Sequence, residues 1–410
     1  MINSCDTPGL MPIDQAIAQL LSHAPAPLHT ETLPLAVALG RVLAQPVSAT
    51  LNVPPFDGSA MDGYAIRSAD VPSQGTPLPL SQRIAAGSIA APLQPGTTAR
   101  IFTGAAMPYG ADCVVMQENC EVAGDAVIFN TTGQPGDNIR YRGCHLRADQ
   151  LILKPGIQLQ PQHLGIAASI GVAQLTLFSR VKVALLSTGS ELVEPGQPLQ
   201  GGQIYNSNHP MLKALLEQMQ CEVVDLGTIA DDLALTTNTL RRAADECDLI
   251  ISSGGVSVGE EDHIKTAIDS LGRLELWKLC IKPGKPLAFA HVCGTPLIGL
   301  PGNPVSSFVT FCLLARPFIL KAQGHNEVLP KPLKVRADYE QRKADKRREY
   351  LRATLHQRDD GLLYATPLPN QDSATLLSLT RGDGLLTIPE NCTIKHGDML
   401  EYLPLADLIG

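Results

Sequence analysis

The residues best suited to chemistry in this 410-residue chain sit where strand patterns break off into glycine-rich turns, and the densest case is LIISSGGVSVGEED, residues 249 to 262. Ser252, Ser253, Gly254 and Gly255 offer small hydroxyls and a backbone without Cβ, so a ligand can approach the main-chain N–H groups and an anion can be cradled there. Glu260, Glu261 and Asp262 follow where the next helix begins. Acids at that place either suit the positive end of a helix or hold a hard cation beside the anion, and the stretch alone leaves both open. Glu191 in STGSEL and Asp231 and Asp232 in TIADD are further acids just beyond apolar runs. Singly each is an ordinary solvated acid, but gathered on one edge they repel one another unless a cation sits among them, which points to Mg2+ with an anionic ligand. Opposite charge comes from WKLCIKPGKPLAF, where Lys278, Lys282 and Lys285 surround a Pro-Gly turn as point charges suited to phosphate or an oxyanion. GLPGNPVSSF adds a second tight loop feeding a helix N-terminus, with Asn303 and Ser306 as candidate hydrogen-bond donors and Pro304 opening the helix.

Positioning these groups together requires a sheet whose strand ends share one edge. From Val181 the chain alternates short apolar runs (VKVALLS, EVVDLG, LIISS, LAFAHV, PLIGL) with helical stripes, one of them starting at Asn208 as N-cap before Met211, Leu212, Leu215, Leu216 and Met219. This grammar predicts a doubly wound, mostly parallel α/β domain over 181–330, with ligands bound beyond the carboxyl ends of the strands. Between residues 51 and 145, short β-type runs separated by Gly/Pro turns predict an inserted all-β domain. Within it Asp57-Gly58 reads as a plain turn and Asp62 less so. The flanks, 1–50 and 146–180, read as a discontinuous helical linker domain. After Pro330 alternating runs such as LKVRADYEQ and EYLRATLHQ predict a C-terminal β domain over 331–410, with the basic stretch QRKADKRR as a solvated loop.

Composition sets limits on this reading. A hydrophobic share of 44% with 18% charged residues is that of a folded globular chain, and 35 Gly with 32 Pro call for many tight turns. A net charge of -8 argues against a nucleic-acid surface spread over the whole protein but allows local basic pockets. The ten cysteines show no zinc-like spacing, so free thiols in a reducing compartment are expected. The start, MINSCDTPGLMPIDQ, lacks the basic and apolar regions of a secretory signal, and no membrane-spanning run is evident, so the expected location is the cytoplasm.

The strings FDGSAMDGYAIR, IFTGAAMP, STGSEL, QIYNSN, SSGGVSVGEED, WKLCIKPGKP and GLPGNPVSSF, in this order, resemble the molybdopterin molybdenumtransferase family, the MoeA-type molybdenum insertases related to the gephyrin E domain. The resemblance covers essentially the whole chain and implies a MoaB/MogA-like α/β domain with an elongated helical linker and a C-terminal β-barrel-like domain. It implies that adenylylated molybdopterin and molybdate are the substrates, that AMP is released with Mg2+, and that the protein is a homodimer. Under it Glu191, Asp231 and Asp262 are the acids of the main site and its metal ligands, and Asp62 and Thr103 come from the partner side of a dimer cleft. Ser253, Gly254, Gly255, Lys278, Lys282, Lys285, Pro301, Asn303 and Pro304 bind substrate. A molybdopterin adenylyltransferase and acceptor molybdoenzymes are the further partners it raises. Two departures stand out: YRGCHL places His145 where relatives carry an aspartate, and QDSATLLSL alters a segment containing Ser373 and Ser378. His145 motivates an alternative, a non-catalytic carrier of the pterin or its molybdenum form; nucleotide-pyrophosphate hydrolysis is a third reading.

Overall fold

The alternation after Val181 folds as a six-stranded sheet in a computed structural model that describes residues 9–27, 29–254 and 263–409. The chain divides into two units, one of Met1–Glu31, Gly40–Val42 and Phe178–Gly410, the other of Thr32–Leu39 and Leu43–Leu177. In the larger unit the strands are β1 (Lys182–Thr188), β2 (Glu222–Ile229), β3 (Leu249–Ser253), β4 (Gly272–Lys278), β5 (Pro286–Val292) and β6 (Thr295–Leu300), in the order β2-β1-β3-β6-β5-β4. β2, β1, β3 and β6 pair in parallel, and β5 is antiparallel to both β6 and β4. The continuously apolar runs have the cause expected of strands buried on both faces. Val183, Leu185, Leu249 and Ile251 point into one core, Ala184, Leu186 and Ile250 into the other.

Helices cover both faces. α1 (Ile13–Ser22), α2 (Asn208–Gln218) and the helix Pro304–Ala322 fill the first core with Leu20, Leu212 and Phe318 among others. α3 (Leu233–Glu246) and α4 (His263–Leu271) fill the second with Leu240, Ala243, Ile264 and Ile268. Two expectations change here. The helix-period stripe Ile13, Ile17, Leu20 and Leu21 after Pro12 does form a helix, but its buried Ile13 and Leu20 pack in the α/β core and not with residues 146–180, because periodicity reveals an apolar face and not the surface that will cover it. Asn208 is the first helical residue and not its N-cap, since its side chain is engaged elsewhere. Pro304–Ala322 is long and apolar enough to cross a membrane by length and composition, yet 89% of its apolar stretch is buried in the protein.

In the same unit Leu333–Ala337, Arg348–Gln357, Leu363–Pro367, Gly384–Ile388 and Met399–Pro404 close on themselves as a five-stranded barrel, the ring completed by the pairing of Arg348–Gln357 with Gly384–Ile388. Ile281–Lys282 adds to it beside Arg348 and Glu349. In the smaller unit a six-stranded sheet orders Cys113–Met116, Gly63–Ile66, Thr98–Ile101, Thr76–Ile84, Ala126–Phe129 and Cys120–Ala123. Its flanking segments carry the helix Pro161–Ser169 and the pairing of Val47–Ser48 with Leu151–Leu153. Gly63 has a steric reason to be glycine: a Cβ there would lie 2.1 Å from the Val115 carbonyl oxygen. Cys113, Cys221, Cys247 and Cys312 are buried free thiols as expected, whereas Cys280 is disulfide-bonded.

Candidate functional site

Parallel pairing places the carboxyl ends of β1, β2, β3 and β6 on one edge, and each expected loop opens from that edge. Beyond β1, Glu191 folds back over its own turn: a Cβ on Gly189, which stands at φ +144°, would sit 2.6 Å from Glu191 Oε2. Beyond β2, Asp231 reaches the same turn, its Oδ2 accepting from the Ser190 N–H at 3.0 Å. Both acids are exposed and both lie against the Gly189–Ser190 peptide. Asp232 has another task, capping α3 by accepting from the Leu235 N–H at 2.7 Å. Asp262 and Gly255 fall outside the described residues. Among the described residues no group of three or more His, Cys, Asp or Glu side chains could hold a metal. Two oxygen donors on adjacent loops nevertheless suit a hard cation that keeps several waters, as Mg2+ does.

At the end of β3, Ser253 is 3% exposed and its Oγ accepts from Asn208 Nδ2 at 3.0 Å. Gly254, at φ +84°, donates its N–H to the Leu300 carbonyl at 3.2 Å, and a Cβ there would meet the Thr188 carbonyl oxygen at 2.7 Å. The glycine thus lets β1, β3 and β6 converge at their ends. The loop after β6 carries buried Pro301 and exposed Asn303, whose Nδ2 donates to Ser373 Oγ at 3.1 Å. Ser373 also gives its carbonyl to the Val305 N–H at 3.0 Å, so one donor of the helix entered through Pro304 is already occupied. Ser306 is buried in the first turn.

The three lysines separate. β4 runs in the sense of the parallel strands, being antiparallel to a strand itself antiparallel to β6, so Lys278 ends on the ligand edge. Lys285, just before β5, returns to that edge with its carbonyl on the Leu279 N–H at 2.6 Å. Both are exposed. With strands about 4.8 Å apart, β4 lies roughly 20 Å across the sheet from β1, so these cations share the edge with Glu191 without pairing with it. Lys282 departs from expectation. It enters the barrel edge, where Nζ bonds Glu349 Oε1 at 2.7 Å and Asp345 Oδ2 at 3.5 Å. The hydrogen bond to Glu349 is the main cause raising its pKa. The Pro-Gly turn marked a charge cluster correctly, but nothing in residue order shows that acids 63 and 67 positions downstream take the middle lysine.

Residue order also missed Arg352, which is 1% exposed and donates from Nε to Ser378 Oγ and from Nη2 to the Asp372 carbonyl, both at 3.0 Å. Among the described residues it forms no ion pair, and burial lowers its pKa. The available signal was an arginine within the apolar alternation of EYLRATL. Loop 372–373 therefore links a buried cation on one side to the Asn303–Val305 turn on the other.

In the smaller unit Asp62 precedes strand Gly63–Ile66 and Thr103 follows its antiparallel neighbour Thr98–Ile101, with Gly63 opposite Ile101. Asp62 Oδ1 accepts from the Thr103 N–H at 2.8 Å and from its hydroxyl at 2.9 Å. These bonds, the backbone one first, hold the Asp62 pKa below its ordinary value. Asp57 is a structural acceptor for the Arg142 N–H at 2.7 Å. His145 is exposed and gives its N–H to the Val53 carbonyl at 3.0 Å.

Three family models match in order: the MoeA N-terminal region (domain I and II) over residues 11–171, a probable molybdopterin binding domain over 184–321, and the MoeA C-terminal region (domain IV) over 334–405. The molybdopterin molybdenumtransferase of Haemophilus influenzae is 37% identical over 405 residues, covering 98% of this chain and 100% of its own. The chain belongs to the molybdopterin molybdenumtransferase family. Molybdopterin molybdenumtransferase 2 of Mycobacterium tuberculosis H37Rv is 39% identical over 393 residues, with 91% of this chain and 95% of that one covered. A molybdopterin biosynthesis moeA protein of Pyrococcus horikoshii OT3 superposes with a TM-score of 0.82 at 28% identity, covering 96% of this chain and all of that one. As a member of this transferase family, the protein acts in molybdenum cofactor biosynthesis, on the fold expected from its motifs.

Proposed function

We propose that the protein inserts molybdate into adenylylated molybdopterin with release of AMP, and that Mg2+ takes part at Glu191 and Asp231. The observation supporting this reading is that Asp231 accepts from the Ser190 N–H and Glu191 folds over Gly189, so both carboxylates lie against one turn, on the edge where Ser253 and Gly254 end their strand. A bound Mg2+ would neutralise charge on phosphate and oxyanion oxygens. The chain's own groups supply the rest. Lys278 and Lys285 draw anions toward the edge, and Arg352 holds a positive charge close to the turn that carries Asn303. Gly254 keeps the backbone bare where a phosphorylated ligand approaches. Charge control of this kind lowers the barrier without a covalent nucleophile.

The same reading takes the protein as a cytoplasmic homodimer in which Asp62 and Thr103 serve the second copy. A molybdopterin adenylyltransferase supplies its substrate and acceptor molybdoenzymes take its product. Purified protein is mixed with adenylylated molybdopterin, Mg2+ and molybdate, and AMP is measured. Strictly molybdate-dependent AMP release supports the transferase. Release without molybdate selects pyrophosphate hydrolysis, and ligand binding without any release selects the carrier suggested by His145. Mixing Asp62→Asn protein with Asp231→Asn protein tests the dimer: activity regained in the mixture supports shared sites, and none counts against them.

A further inference from the structure

The QIYNSNHP segment, which the reaction above does not use, ties together the strand ends that form the ligand edge. Asn206 Nδ2 donates to Thr228 Oγ1 at 3.0 Å, and Thr228 Oγ1 in turn donates to Glu194 Oε1 at 2.8 Å. Asn206 Oδ1 accepts from the His209 N–H at 3.1 Å. Asn208 Nδ2 splits its two hydrogens between Ser253 Oγ at 3.0 Å and the Gly302 carbonyl at 2.7 Å. His209, 6% exposed, lies between Ser187 Oγ, 3.2 Å from Nδ1, and Asp225 Oδ1, 2.7 Å from Nε2. Asp225 is also paired with Lys213 Nζ at 2.9 Å. Within four residues the chain thus grips β1, β2, β3 and the loop after β6.

The hydrogen-bond chemistry fixes how this segment works. The Gly302 carbonyl can only accept, so the Asn208 amide cannot flip. Among the described residues its Oδ1 is then left buried without a partner, a cost that normally selects against an asparagine. What the residue supplies in return is the pair of donations that sets the spacing between Ser253 and Gly302. For His209, the Asp225 carboxylate can only accept, which puts a ring proton on Nε2, while Nδ1 and the Ser187 hydroxyl share the second hydrogen bond. The Asp–His–Ser order is that of a nucleophilic triad, but Ser187 is 0% exposed and bonds Nδ1, so it anchors and does not attack.

We propose that Asn206, Asn208 and His209 are positioning residues that clamp the ligand edge, with Asn208 setting the gap between the Ser253 and Gly302 loops and His209 pinning the clamp to the sheet. This inference rests on the transferase reading. The test is steady-state AMP release with adenylylated molybdopterin, Mg2+ and molybdate by full-length Asn208→Ala, beside a variant matched in Tm loss but remote from the edge, Ile268→Val or Leu240→Ala. The expected result is a kcat lowered roughly 10–100-fold in Asn208→Ala, as for other residues that orient binding groups, with the matched variant unchanged. Asn208→Ser, keeping one donor, recovers part of the loss and carries the test if the alanine variant does not fold. Wild-type kcat in the Asn208 variants, or a loss no greater than in the matched variant, overturns the clamp. Should the wild-type protein release no AMP, the reaction fails separately. The clamp is then read from binding of adenylylated molybdopterin, weakened by the same factor in Asn208→Ala if it holds and unchanged if it does not.

Discussion

Replacing Lys282 with methionine separates a structural lysine from an anion-binding one. Its ammonium sits 2.7 Å from Glu349 Oε1, and Glu349 is 5% exposed with its other oxygen held by Gln341 Nε2 at 2.7 Å. Removing the cation leaves that carboxylate buried with one neutral donor. Two unit charges 4 Å apart interact by about 4 kcal/mol at an effective dielectric of 20. The Lys282 side chain is 44% exposed, so solvent screens part of this and Gln341 retains part of the rest. A destabilisation of about 2 kcal/mol is expected, short of the larger cost of orphaning a fully buried charge. At roughly 2–4 °C per kcal/mol for large domains, Tm falls by about 5 °C. Because the lysine pKa is raised, the pair's contribution is fully present below the ordinary lysine value and is lost as pH rises through the raised one, so measurement at pH 7 captures it. Calorimetry and urea unfolding of Lys282→Met, Glu349→Gln and the double variant provide the assay. The double variant should be more stable than Lys282→Met, since the orphaned charge is gone. An unchanged Tm in Lys282→Met, with a raised KM for molybdate as its only defect, would refute the argument and return Lys282 to the binding site.

Further outcomes follow from the same geometry. Gly63→Ala forces a Cβ to within 2.1 Å of the Val115 carbonyl oxygen, so the strand must move and the Asp62–Thr103 pair with it. Limited proteolysis should show early cleavage within residues 43–177, and AMP release should fall at least about 10-fold. Asp231→Asn should raise the Mg2+ concentration needed for half-maximal AMP release by roughly 10-fold or more, read from a Mg2+ titration. Burial pushes His325 down to about 4 from an ordinary 6.5, so the stability it supports is present above 6.5 and is lost as pH falls toward about 4. His325→Gln should flatten the Tm-versus-pH curve over that window.

The strands of the α/β sheet were legible because burial on both faces demands uninterrupted apolar runs, and Val183 to Leu186 and Leu249 to Ile251 obey that demand. Chain order then put Glu191 and Asp231 at neighbouring strand ends, since the parallel pairing of β1 with β2 leaves them nowhere else to go. What stayed illegible depends on partners far away in sequence. Ile13, Ile17, Leu20 and Leu21 announced a helix but not the core that would accept it. Asn208 carries an ordinary N-cap signature, and only the proximity of Ser253 and Gly302 shows that its amide is used across the fold. Lys282 is the sharpest instance. Its spacing from Lys278 and Lys285 is that of an anion cradle, yet the two outer lysines stay exposed at the sheet edge while the barrel strand beside it supplies Glu349. A lysine between a buried carboxylate and the ligand edge has lost the freedom that makes an exposed lysine a good phosphate ligand. Among the described residues, other cations of this region are the exposed Lys278 and Lys285 and the buried Arg352. Among the described residues, Arg352 is held by Ser378 and the Asp372 carbonyl, with no carboxylate among those hydrogen-bond partners. The arginine's charge is thereby fixed behind the 372–373 loop, which carries it toward the Asn303–Val305 turn, while the two lysines stay exposed at the sheet edge.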